Sequence, residues 1–209
     1  MADLPILRYF ADPMCSWCWG FTDTFAQIRD RFDNDFRFAL TMGGLRPYTE
    51  QTVTDTFRAE ILHHWHDVHN MTGQDFAFDG AMPKGFIYDT EPPARAVLTV
   101  GKLKPGTGFE FFRTVQQAFY LGQTDVTQST PLAELASEFG IEQPAFIELF
   151  ESKEMRVQTQ QHYIQTRQFG VRGFPTLLVG TEENHSLLTS GYQPYDRLEP
   201  AIRQWLERQ

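Results

Sequence analysis

The spacing of apolar residues changes period twice within the first 45 positions. Ile6-Leu7-Arg8-Tyr9-Phe10 is a nearly continuous apolar run and predicts a mostly buried strand. From Cys15 onward the apolar positions Cys18, Phe21, Phe25, Ile28 and Phe32 recur at three or four residues, which predicts one amphipathic helix that frays at Asp33-Asn34. Phe36, Phe38 and Leu40 then alternate with polar or small residues up to Gly43-Gly44, a second strand. A strand, a helix and a strand in this order predict parallel pairing through a right-handed crossover.

The stretch from about Arg46 to Thr166 reads as helical throughout. Phe57, Ile61, Trp65 and Val68 mark one face, and Phe112, Val115 and Phe119 another. Phe146, Leu149, Phe150, Val157 and Ile164 fall on a long third helix. Thr130-Pro131 reads as an N-cap followed by proline at the first helical position, with Gly140 as the stop. Pro144 opens the next helix and Gly170 ends it. Gly- and Pro-rich loops are expected around 78–93 and 101–108. Beyond Gly170, Thr176-Leu177-Leu178-Val179 and Ser186-Leu187-Leu188-Thr189 flank a turn at 181–184 and predict an antiparallel hairpin. A final helix from Tyr195 carries Leu198, Ile202, Trp205 and Leu206 on one face, with Pro200 interrupting its first turns.

A chain of 209 residues with 41% hydrophobic and 14% aromatic content can bury one large core. Its nineteen Phe are read as packing. The net charge of −9 and the lack of a basic run argue against nucleic acid or an anionic membrane surface as partner. Met1-Ala2-Asp3-Leu4-Pro5 shows no basic leader and no stretch reaches the length of a membrane span, so a cytoplasmic location is expected.

The chain has two cysteines, in Cys15-Ser16-Trp17-Cys18, at the junction of the first strand and helix. In a reducing cytosol such a pair points to thioredoxin-like redox chemistry rather than to a structural bridge. At the start of a helix, Cys15 would lie among N–H groups without intrahelical partners, which favours thiolate and predicts a thiol depressed below its free value. Cys18, one turn on, belongs to the buried stripe, so Cys15 is expected at the exposed tip as nucleophile and Cys18 as the sheltered sulfur that resolves a mixed disulfide. Ser16 offers a hydroxyl to a thiolate, and Trp17 and Trp19 could form an apolar lip. Two other readings stay open: half of a zinc site with histidines as the remaining ligands, or inert packing. His63, His64, His66 and His69 are close enough on a helix to hold a surface ion, but are read as residues flanking the Trp65 stripe; no metal is assigned, and His162 and His185 are given no role.

Asp12-Pro13-Met14-Cys15-Ser16-Trp17-Cys18-Trp19-Gly20-Phe21 and Val171-Arg172-Gly173-Phe174-Pro175-Thr176 resemble the DsbA-type thiol oxidoreductases, and the first segment most resembles their FrnE-like cytoplasmic branch. The resemblance implies an α/β thioredoxin fold with a large all-helical insertion. Residues 1–45 and 166–209 would make the discontinuous thioredoxin-like domain and 46–165 the inserted helical domain. It further implies a cis Pro175 facing the cysteines, with Phe174 and Thr176 beside it, so that the Phe174 backbone is offered to an extended substrate. Relatives often carry a buried acid six residues before the first cysteine; here that position is Tyr9. Asp12, three residues before Cys15, could take that proton-transfer role, although a loop Asp is more often a turn former or cap, and resolution would otherwise depend on bound water or on Tyr9.

The expected activity is thiol–disulfide exchange or isomerisation on a protein or small-molecule substrate. The dithiol itself serves in place of a bound cofactor, with glutathione as a candidate co-substrate. Two alternatives are a kappa-class glutathione transferase or hydroxychromene carboxylate isomerase, which usually lack the second cysteine, and a redox-sensing or chaperone-like client binder. The sequence does not define an oligomeric state.

Overall fold

The computed structural model describes residues 4–181 and 183–208. Met1-Ala2-Asp3, on which the reading of the leader rests, and position 182 in the predicted turn lie outside them. The strands are β1 (Ile6–Ala11), β2 (Arg37–Met42), β3 (Thr176–Gly180) and β4 (His185–Ser190). They form one sheet in the order β2-β1-β3-β4. β1 pairs parallel with β2 and antiparallel with β3, and β3 pairs antiparallel with β4. The central strands β1 and β3 are buried almost throughout, as their mostly apolar runs require, with Arg8 the partly exposed residue of β1. This is the α/β DsbA-like thioredoxin fold, with the helices of the long insertion between β2 and β3.

The segment from Cys15 to Phe32 is two helices rather than one, α1 (Ser16–Gly20) and α2 (Thr22–Arg31). The Thr22 hydroxyl donates to the Cys18 carbonyl at 3.2 Å, and this competition for a helical acceptor accompanies the bend at Phe21. Gly20 lets α1 lie against the helix α3 (Asp55–Thr72), since a Cβ there would stand 2.6 Å from Val68 Cγ1.

The insertion is not helical throughout: residues 43–54 and 73–90 are mainly coil, joined by an isolated bridge between Thr52 and Ile87. Thr54 caps α3 by accepting from the Phe57 N–H, and Gly73 ends it at a φ of 75°. α4 (Glu91–Leu103) takes in Pro92 and Pro93, which had read as loop; prolines at a first turn lack only N–H groups that have no helical partner. α5 (Gly108–Tyr120) follows, then α6 (Ser129–Ser137), which starts after Gln128 rather than being capped by Thr130.

The predicted third long helix is also two, α7 (Gln143–Phe150) and α8 (Lys153–Gln168). Between them Ser152 adopts an extended conformation and accepts from the Met155 N–H, an N-cap that the apolar spacing hides. α9 (Tyr195–Leu206) starts after Pro194 and accommodates Pro200 inside it while burying Leu198 and Ile202. One continuous core links strand residues such as Leu7 and Val179 to insertion residues such as Phe111 and Leu132, so the two parts pack as a unit. Among the described residues no helix is long and apolar enough to cross a membrane.

Candidate active site

Cys15 ends the loop after β1 and takes the N-cap position of α1, with its N–H donating to the Asp12 carbonyl at 3.1 Å. It is not at an exposed tip: Cys15 is 5% exposed and Cys18 is fully buried. The reason is the insertion, whose helix α3 and residue Tyr88 wall the loop and leave Cys15 at the floor of a cavity of about 410 Å³. Ser16, Trp17, Leu45, Arg46, Phe57, Ile61 and His64 line it with Cys15. Both cysteines are free thiols, and the Cys18 thiol is hydrogen-bonded to Cys15.

Across the sequence, the Cys15 thiol donates to the Phe174 carbonyl at 3.7 Å, and the Phe174–Pro175 peptide is cis. The Phe174 ring packs on Gly43, where a Cβ would stand 2.2 Å from the ring. Thr176 opens β3 and turns its hydroxyl inward to the Gly173 carbonyl at 2.8 Å. Trp17 is half-buried and meets Tyr192, whereas Trp19 is buried, stacks on Tyr120 and donates its indole N–H to the Asp75 carbonyl. Trp19 is therefore part of the packing between α1 and the insertion and not a lip of the cavity.

Asp12 lies fully buried beside the cysteines. One carboxylate oxygen accepts from the Met14 N–H at 3.0 Å and the other from the Leu45 N–H at 2.8 Å. Burial lifts its pKa to about 6, against the lowering effect of those bonds and of the Thr90 hydroxyl. The residue thus clamps the cysteine loop to the chain leaving β2 and to the start of α4. Burial, then the hydrogen bond to Cys15, pushes the Cys18 thiol well above its ordinary value, which keeps it protonated until a base removes the proton. The Asp12 N–H opposes this by donating to the Cys18 sulfur. Tyr9, also buried, has its pKa raised first by desolvation and then by Cys18, the polar group that faces it. No group at ordinary hydrogen-bond geometry partners its hydroxyl among the described residues.

Sequence reasoning missed the cavity's two basic residues. The Arg46 guanidinium lies 4.4 Å from the centre of the Phe57 ring, and its Nε is buried without a hydrogen-bond partner among the described residues. His64 had been grouped with its neighbours, which the structure sends elsewhere. His66 stacks on Phe78 at 4.0 Å, His69 Nδ1 meets the Gln74 carbonyl at 2.8 Å, and His63 pairs with Asp67 at 3.7 Å. Among the described residues no group of three or more His, Cys, Asp or Glu side chains is arranged to hold a metal. Only long-range placement, with α3 folded over the cysteine loop, singles out His64.

The family description "DSBA-like thioredoxin domain" matches residues 6–203. A comparison with curated proteins finds no match. Among solved structures, a Nitrosomonas europaea protein named "putative protein disulfide isomerase" is 41% identical over 99% of each chain, with a TM-score of 0.93. The cytosolic disulfide reductase DsbM of Pseudomonas aeruginosa, solved with GSH, is 26% identical over 96% of this chain and 98% of that one, with a TM-score of 0.77. Chlamydia trachomatis DsbA shares the fold at 18% identity and a TM-score of 0.66, over 100% of this chain and 89% of its own.

Proposed function

The chain belongs to the family of DSBA-like thioredoxin domains, which are thiol–disulfide oxidoreductases, and from that premise we propose that Cys15 and Cys18 form its reactive dithiol–disulfide couple. The Cys15 thiolate attacks one sulfur of a substrate disulfide; the substrate S–S bond breaks, and the released sulfur leaves as a thiolate that takes a proton. Cys18 then gives up its proton and attacks the Cys15 sulfur, expelling the second substrate thiolate. Two electrons have passed to the substrate, and the Cys15–Cys18 disulfide remains. Two molecules of a small thiol such as glutathione return it to the dithiol, leaving as glutathione disulfide. A substrate thiol that re-attacks the mixed disulfide before Cys18 does so gives isomerisation instead.

The observation that carries this reading is the buried Cys18 thiol hydrogen-bonded to a Cys15 that faces a 410 Å³ cavity. A cavity of this size suits a tripeptide or one extended peptide segment. Arg46 and His64 on its wall suit a substrate bearing carboxylates near its sulfur, as glutathione does. The structure of DsbM with GSH supports the same class of ligand. The paired cysteine favours exchange over glutathione conjugation. Reduction or isomerisation in the cytoplasm is the direction that suits a glutathione-poised compartment, and neither membrane nor nucleic acid is a partner in this reading.

Trapping tests it. Cys18→Ser is expected to accumulate a mixed disulfide between Cys15 and the substrate, and Cys15→Ser to form none. A mixed disulfide on Cys18 alone, or full turnover in Cys15→Ser, would refute the assignment.

A further inference from the structure

A second cavity, of about 180 Å³, is lined by residues of α2 and α5 together with Tyr9 of β1, and shares no lining residue with the cavity above Cys15. Phenylalanine rings set its walls. Phe25 and Phe109 stand 5.4 Å apart between ring centres, and Phe25 and Phe112 pack on the Tyr9 ring at 4.3 and 6.1 Å. Two buried polar side chains also belong to the lining. Gln116, fully buried, has an Nε2 without a hydrogen-bond partner among the described residues, and the same holds for the hydroxyl of Tyr9, which is 2% exposed. Arg29 and Arg113, the cations of the lining, are each already paired, Arg29 with Glu110 at 2.9 Å and Arg113 with Asp23 at 3.1 Å.

These features select an occupant. A purely apolar cavity of about 150 Å³ stays dry and admits benzene. Here the rings offer faces and edges to one further aromatic ring of that size. A guest without polar atoms would seal Gln116 Nε2 away from any acceptor, which is costly. Water alone would meet that group but leave the phenylalanine walls hydrated. An ion fares no better, because both guanidinium groups already hold carboxylates and aromatic walls do not solvate a charge. What fits is an uncharged ring bearing a single oxygen.

We propose that this cavity binds a small uncharged aromatic molecule of the phenol class, with its oxygen accepting from Gln116 Nε2 and its ring packed among Phe25, Phe109 and Phe112. The site also touches the cysteine segment. The Thr22 hydroxyl has one proton and lies 3.2 Å from both Gln116 Oε1 and the Cys18 carbonyl, so a guest that engages the Gln116 amide alters how that proton is shared. This link to the exchange reaction rests on the dithiol reading above. Affinity for the guest then differs between the dithiol and disulfide forms, and the guest shifts the equilibrium between those forms by the same factor.

Titration of the reduced protein with phenol, followed by amide NMR, tests the site. Saturable binding with a Kd of about 1 mM or tighter is expected, with shifts centred on residues of α2 and α5. Benzene should bind about fivefold more weakly and benzoate should not saturate. Gln116→Leu keeps the cavity closed to water and should remove the preference for phenol over benzene. Absence of saturation, shifts centred instead on Trp17 and Arg46 of the other cavity, or a preference for benzoate would overturn the site. The link is read by equilibrating the protein against glutathione redox mixtures with and without saturating phenol. A midpoint ratio displaced by about fivefold or more is expected, and an unmoved midpoint would overturn the link. A protein that binds phenol but forms no internal disulfide at any ratio would overturn the dithiol reading and with it the link, while the binding site stands.

Discussion

The thiol of Cys15 reaches the Phe174 carbonyl at 3.7 Å, a contact between residues 159 positions apart that joins the first and last thirds of the fold at one sulfur. Its partner strand is held in place from behind: the Phe174 ring occupies the space that a side chain at Gly43 would need. Gly43→Ala is expected to displace that ring, cost about 1–3 kcal/mol of stability through overpacking, and lower turnover more than it lowers alkylation of Cys15. Urea unfolding and exchange assays on the same preparation check both parts.

Asp12 and His162 should contribute opposite slopes to stability in acid. Burial raises Asp12 to about 6, so the folded state keeps a proton that the unfolded chain loses from about pH 4; its contribution is full below pH 4 and lost as the pH rises through 6. His162, whose Nδ1 accepts from the Met42 N–H at 3.2 Å, is lowered to about 4 by burial and then by Arg8. Its contribution is present above about pH 6.5 and lost as the pH falls toward 4. Each amounts to something on the order of 3 kcal/mol at 1.36 kcal/mol per pKa unit, and the two oppose each other in the intact protein. Relative to wild type, Asp12→Asn should therefore gain stability with rising pH between 4 and 6.5, and His162→Gln should lose it. Denaturant midpoints across that range measure the two differences.

Arg46 should select substrates by charge. Its guanidinium lines the cavity beside the Phe57 ring, so a carboxylate entering there meets a positive charge. Arg46→Gln is expected to raise KM for glutathione disulfide about tenfold, the equivalent of one charged hydrogen bond, with little change for an uncharged aromatic disulfide. Equal losses on both substrates would remove Arg46 from recognition.

Much of this fold is legible in the sequence because the relevant signals are local. The continuous run in β1, the alternation in β2 and the strand–turn–strand pattern after Gly170 each carry their own period, and the cysteine pair stands at the junction where the period changes. Breaks inside periodic runs are harder to read. Phe21 and Ser152 interrupt helices whose apolar spacing continues across the break, and the hydroxyl hydrogen bonds that mark the breaks, Thr22 to the Cys18 carbonyl and the Ser152 cap that starts α8, leave no trace in the periodicity. Pro92 and Pro93 look like loop residues until their place in a first turn is known. The walls of the site were the least legible part. The burial of Cys15 and the presence of Arg46 and His64 beside it follow from how the insertion folds over the cysteine loop, a contact between elements far apart in the chain.

The central claim, that Cys15 and Cys18 are one reversible redox couple, is tested most directly by equilibrating the protein across a series of reduced-to-oxidised glutathione ratios and trapping the thiols at each. The account predicts a single transition in which both thiols disappear together into an internal disulfide. Thiols that stay fully alkylatable in the unfolded, trapped protein at every ratio, or that titrate independently of each other, would contradict it.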